Sequence, residues 1–242
     1  MTRHSTSRDI TRAAFLPLLA LALILVGCGG GRVTKPSDTS TSAGAGAVVD
    51  LPPDLATPEG AVQYLVWTVN RRDWRRYAEI LTEDFQFAFA SVDSAGNAFR
   101  DRCLLRADEV QIARNMFETG TPLLPPFSRV VMTLASAPLV PLPDPRPGRD
   151  MPSHVLIRSN LLISADNGAQ SFRITGAGSF FLVRGDSAQI PPELLARGFV
   201  ADKTRWWVQR WEDETIENPG AAQSASMPSR IATWGAVKVM YR

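Results

Sequence analysis

Residues 57–217 are expected to form an α+β domain, three N-terminal helices packed on a strongly bent antiparallel sheet, and three observations predict it. Apolar residues recur at helical spacing from Thr57 to about Leu81, whereas beyond Phe127 the chain mostly alternates as strands do. Asn167-Gly168 separates two long alternating segments, and Asn-Gly is the strongest short hairpin signal. In the second of those segments Gly176 and Gly178 stand at alternate positions, where absent side chains let a strand bend and leave volume unfilled.

Thr57-Pro58-Glu59 starts the first helix, with Thr as N-cap, Pro at the first helical position and an acid in the first turn. Val62, Leu65, Val66 and Val69 then give it a buried face. Asp73 caps a second, short helix with the stripe Trp74, Tyr77, Ala78 and Leu81. From Asp84 to Phe89 the alternation places Phe85, Phe87 and Phe89 on one face of a strand. A third helix is predicted over Asp108–Thr119, opened by an Asp-x-x-Gln capping box and closed by Gly120. Four strands follow, at 127–135, 154–164, 171–184 and 205–212.

A two-residue turn at Asn167-Gly168 would set the register of the hairpin. Ile163 then faces Phe172, Leu161 faces Ile174, Ser159 faces Gly176, Ile157 faces Gly178 and Val155 faces Phe180, all toward the core. Arg158, Asn160, Arg173, Thr175 and Ser179 point outward, with His154 beside Phe181 at the end of that face. The Pro-rich stretch 138–152 reads as a stiff connection, or a docking strip for a partner. Residues 187–203 contain one or two helical turns whose Leu194 and Leu195, with Phe199, would lid the cone mouth.

This element order resembles the NTF2-like superfamily, the cone-shaped fold of SnoaL-like cyclases, ketosteroid isomerase and scytalone dehydratase. The residues carrying the resemblance are Thr57-Pro58-Glu59, the junction Asn70–Asp73, Leu81-Thr82-Glu83-Asp84-Phe85 and Trp207-Val208-Gln209-Arg210-Trp211. It implies a cone whose enzymes place polar groups inside. Aligned on Asp73 and Asp84, the isomerases' carboxylate base falls at Phe89 and their oxyanion-stabilising Tyr near Leu65, so neither chemistry carries over. The dehydratase pattern requires His and Asp in the pocket, and His154, expected to face outward, is the one His beyond the leader. Cone folds of this class often pair through the outer sheet face, which puts a homodimer among the implied partners, although Arg158 and Arg173 make that face polar.

The N-terminus is a different kind of sequence. A basic stretch to Arg12 precedes 14 mostly apolar residues, Ala13–Val26, which is signal-peptide anatomy and shorter than the roughly 20 residues of a spanning helix. Leu25-Val26-Gly27-Cys28 resembles the lipobox of bacterial prolipoproteins, which implies cleavage after residue 27 and acylation of Cys28, with the membrane as partner through palmitate-type lipid. Gly29, not Asp, follows that Cys, which for this family implies the periplasmic face of the outer membrane if the cell has two membranes. Residues 28–56 form a Gly/Ser/Thr/Ala tether spanning about 30 Å, and 218–242 a polar linker and an apolar tail.

Composition excludes some functions. The chain has 26 basic and 24 acidic residues, and the leader carries three Arg and one Asp, so 23 of each remain. Zero net charge argues against a nucleic-acid partner. With Cys28 acylated, Cys103 alone is left, so neither a disulfide nor a Cys-based metal site is expected, and no motif calls for a cofactor. The candidate ligand pocket comprises Phe85, Phe87, Phe89, Ser159, Gly176, Gly178 and Trp207, with no catalytic residue assigned. Arg71, Arg72, Arg75 and Arg76 read as a solvated helix end paired with Glu79 and Glu83, or as a site for an anionic headgroup or glycan. Glu212-Asp213-Glu214 reads as a solvated strand end. Two functions follow: a non-catalytic domain binding a small apolar ligand or partner segment, or a SnoaL-like isomerase, dehydratase or hydrolase. Two or more ionisable side chains converging in the cone would favour the enzyme.

Overall fold

Helix α1 (Pro58–Arg71) begins as its sequence dictates, with the Thr57 hydroxyl accepting from the Gly60 N–H at 3.0 Å and Pro58 in the first turn. Its far end is fastened to the sheet. The Asn70 side chain donates to the Met132 carbonyl at 3.0 Å and accepts from the Met132 N–H at 2.6 Å. Arg72 ends the helix in a left-handed conformation, φ 55°, which costs a side-chain-bearing residue more than Gly, and its guanidinium donates to the Phe127 carbonyl at 2.6 Å. Helix α2 (Trp74–Ala78) follows at once, capped by Asp73.

The fold comes from a computed structural model in which residues 51–90, 103–135, 138–216 and 229–242 are described, all within one compact unit, Val49–Arg242. The leader, Cys28 and the tether as far as Asp50 lie outside the described residues. After β1 (Leu81–Ala88) and β2 (Leu104–Leu105) comes α3 (Arg106–Arg114), which continues through a π-helical turn, Asn115–Thr119, to Gly120. The helix thus starts two residues before Asp108, and no side chain caps it. Arg106 holds that first turn, donating to the carbonyls of Ala78 at 3.0 Å and Leu81 at 3.4 Å and pairing with Glu193 at 2.6 Å.

The remaining strands are β3 (Arg129–Leu134), β4 (Leu142–Pro143), β5 (His154–Asp166), β6 (Ser171–Arg184), β7 (Trp206–Ile216) and β8 (Ser229–Ile231), with the short helix α4 (Pro192–Leu195) before β7. They join in the order β2-β1-β7-β6-β5-β3, with β4 on β5 and β8 on β6. Pairing is antiparallel except between β1 and β7 and between β6 and β8. The expected class is therefore what forms: helices on a bent, antiparallel-rich sheet.

Two details of the sheet differ from the sequence reading. The hairpin turn holds four residues, so Asp166 pairs with Ser171 and every facing pair moves by two: Ile163 with Ile174, Leu161 with Gly176, Ser159 with Gly178, Ile157 with Phe180. The cause is Asn167, whose carboxamide oxygen accepts from the N–H groups of Ala169 and Gln170 at 3.0 and 2.7 Å while its nitrogen donates to the Tyr241 hydroxyl at 3.0 Å. A shift of two keeps every side chain on its expected face. In β7 a bulge near Gln209 reverses the alternation, so Trp206, Val208 and Trp211 all enter the main core while Trp207 leaves it.

Gly176, at φ 146°, has a backbone geometry open to Gly, consistent with a bend there. The expected empty volume beside Gly178 is filled instead: a Cβ there would stand 2.8 Å from Leu161 Cδ1 and 3.1 Å from Trp211 Nε1. The C-terminal residues set apart above as a tail are part of this core. Helix α5 (Trp234–Met240), capped by Thr233, buries Trp234, Ala236, Val237 and Lys238, and Tyr241 behind it is fully buried.

Candidate functional site

Inside the sheet the inner face is not purely apolar. Helices α2, α3 and α5 and strand β7 each send one ionisable side chain inward: Tyr77, Glu109, Lys238 and Asp213, none more than 2 % exposed. The Tyr77 hydroxyl and the Lys238 ammonium both bond to Glu109 Oε1. The ammonium also lies over aromatic faces, 3.5 Å from the ring centre of Phe87 and 4.5 Å from that of Trp211. Such cation–π contacts gain strength where water is excluded. Asp213 accepts from the Thr215 hydroxyl at 2.6 Å and from the Gly235 N–H at 2.6 Å, tying β7 to the start of α5.

Burial governs the acid–base character of these groups. It lowers the Lys238 pKa, against the opposing pull of Glu109 and Asp213. It raises Tyr77 well above its ordinary value, helped by the charge of Glu109 and the bond to it. It also raises Asp213, in spite of the hydrogen bonds from Thr215 and Gly235 and the charge of Lys238. Glu109 Oε2 and the indole nitrogens of Trp211 and Trp234 are buried without a hydrogen-bond partner among the described residues.

The residues expected to line a pocket divide into two places. Phe85 and Phe87 are fully buried beside this cluster, with Phe87 at 5.3 Å from Phe89 and 5.5 Å from Trp211 between ring centres. Ser159 faces Gly178 and Gly176 faces Leu161 on the neighbouring strands. Trp207 is apart, packed with Val183 and Leu194 under Phe199. The expected lid therefore covers Trp207, with Leu194 buried and Leu195 exposed, and Phe85 and Phe87 belong to the separate main core.

His154 is buried rather than on the surface, because the Pro-rich segment folds over its end of the sheet. There Asp144 binds the Arg146 guanidinium through both oxygens, and Arg146 reaches Gln209 at 3.0 Å and lies 4.4 Å over Phe181. Gln209 in turn donates to Asp84 at 2.6 Å. Burial and the neighbouring Arg149 hold His154 below its ordinary pKa.

On the outside, an open groove of about 690 Å³ is lined by Arg71, Arg72, Arg75, Arg76 and Arg197, among others. The acids pairing there differ from those expected: Arg75 meets Glu118, Arg76 meets Asp73, and Arg197 meets Glu79. Glu83 is instead near Arg106. Among the described residues no group of three His, Cys, Asp or Glu could hold a metal ion, and no helix is long and apolar enough to cross a membrane. Cys103 is a free thiol.

The chain matches no protein-family model and no curated protein. Among solved structures it is similar to an NTF2-like superfamily protein of Salmonella enterica serovar Typhimurium, at 13 % identity over 69 % of this chain and 93 % of that one, TM-score 0.40. It is also similar to an NTF2-like protein of Cytophaga hutchinsonii, at 10 % identity over 64 % and 93 %, TM-score 0.39. A conserved protein of Planctomyces limnophilus gives 8 % identity over 64 % and 91 %, TM-score 0.42.

Proposed function

We propose that the chain is a lipid-anchored envelope protein whose NTF2-like domain binds a small ligand or a partner segment and does no chemistry on it. The observation supporting the absence of chemistry is the use made of the inner polar groups. Glu109 Oε1 is committed to Lys238 and Tyr77, Asp213 to Thr215 and Gly235, and α5 packs over them, so that Glu109 Oε2, the one oxygen of the two carboxylates without a partner among the described residues, is buried away from a substrate. The anchor rests on Leu25-Val26-Gly27-Cys28, and its placement at the outer membrane on Gly29.

Radiolabelled palmitate should enter the natural chain and be absent from Cys28→Ser, with the labelled chain in the outer-membrane fraction of a two-membrane cell. Equal labelling of the two chains removes the anchor. A second reading, the SnoaL-like enzyme, is favoured by one observation, the convergence of Tyr77, Glu109, Lys238 and Asp213. It requires the C-terminal segment to move aside so that Glu109 meets a substrate.

A further inference from the structure

The arginine-lined groove lies on the outer surface, apart from the buried polar cluster. Five arginines line it against three carboxylates, in a chain whose overall charge is nearly balanced, so the surplus is local. Two tryptophans hold three of these five guanidinium groups and that of Arg114. Arg71 and Arg76 lie over Trp67, at 4.8 and 5.1 Å from its ring centre, and Arg75 and Arg114 over Trp74, at 4.7 and 5.6 Å. Stacking of this kind fixes the plane of the guanidinium fork, the group that pairs with oxyanions.

Of the ion pairs already present two are weak, and the third, Arg197 to Glu79 at 2.5 Å, is tight. Arg75 to Glu118 is 3.5 Å and Arg76 to Asp73 is 3.6 Å, with Arg75 67 % exposed. Exposed pairs of this kind contribute little, so they can give way to the phosphodiesters of an anionic membrane surface, each carrying one negative charge but present at high local density. Tryptophans interleaved with arginines on an open surface are also the side chains that settle at a membrane interface.

We propose that this groove binds phosphate groups carried on anionic lipid headgroups and so holds the anchored domain against its membrane. This rests on the membrane-anchored reading, and the two fail separately, because palmitate labelling at Cys28 reports on the anchor whatever the groove does. The test uses the full chain carrying Cys28→Ser, so that no acyl chain contributes, with vesicles of phosphatidylcholine made with and without phosphatidylglycerol. Binding should depend on phosphatidylglycerol. Arg75→Gln/Arg76→Gln/Arg197→Gln in the same background should lose it by about a hundredfold, at roughly fivefold per arginine. Arg129→Gln/Arg173→Gln/Lys203→Gln removes as much charge from exposed positions elsewhere and should lose much less. Equal losses in the two triple variants overturn the site. Inorganic phosphate, followed at the Trp74 indole N–H that bonds Glu118, separates the sources. Saturable binding of phosphate without any preference for phosphatidylglycerol keeps the phosphate chemistry and overturns the lipid.

Discussion

Lys238→Ala is expected to destabilise the domain by about 3–5 kcal/mol, the usual cost of removing one partner from a buried ion pair. Glu109 would keep, at 1 % exposure, the Tyr77 hydroxyl as its one side-chain donor among the described residues, and the faces of Phe87 and Trp211 would lose their cation. Lys238→Met combined with Glu109→Gln should behave quite differently. It keeps the volume, lets Tyr77 donate to a neutral amide and removes both buried charges, so it should match or exceed the parent. Urea unfolding of the full chain measures both. A Lys238→Ala variant within about 1 kcal/mol of the parent would mean that the ammonium reaches water and that the pair is not buried.

Trp234→Ala should cost a similar amount, about 3–5 kcal/mol, as large-to-small changes of buried tryptophan do. Trp234 is 1 % exposed, stacked at 6.4 Å on Trp211, and lies three residues after the end of β8. Around it the C-terminal residues are tied to distant parts of the chain. The Tyr241 hydroxyl bonds the Pro125 carbonyl at 2.9 Å, Asn115 donates to the Tyr241 carbonyl at 2.8 Å, and Asn167 holds the same hydroxyl from the hairpin turn. Val239→Ala, a half-exposed position of the same helix, is the control and should cost less than about 1 kcal/mol. If Trp234→Ala is as mild as Val239→Ala, the C-terminal residues are the detachable tail that their sequence position suggests.

Much of the fold was legible because local signals agreed with one another. Thr57-Pro58-Glu59, Asp73, the alternation Phe85-Gln86-Phe87 and Gly120 each act within one turn or strand, and each is used as written. The hairpin register failed by two residues because Asn167 is held by Tyr241, 74 residues further on, and no local turn preference contains that contact. Trp207 was misplaced because a single bulge reverses the alternation of a strand.

The buried polar cluster was missed, although a signal existed. Glu109 recurs with Ile112, Ala113 and Met116, and Lys238 with Trp234, Val237 and Tyr241, so each charge stands in the apolar stripe of its own helix. A charge of each sign on two buried stripes is the pattern of an internal pair. Starting the third helix at Asp108 with a capping box gave Glu109 beside it no role, and reading the C-terminal residues as a tail hid Lys238. Asp213 was hidden by the acidic run around it, of which alternation turns Asp213 alone inward while Glu212 meets Arg210 and Glu214 meets Arg158.

The C-terminal segment closes the interior as part of the domain. Native-state hydrogen exchange at the indole N–H groups of Trp211 and Trp234 tests this closure, since both are buried without an acceptor among the described residues. Both are expected to exchange only through global unfolding, with the same denaturant dependence as the amides of β5 and β6. Exchange through a smaller opening that frees 229–242 while the sheet stays folded would contradict it, and would place Glu109 and Tyr77 within reach of a substrate.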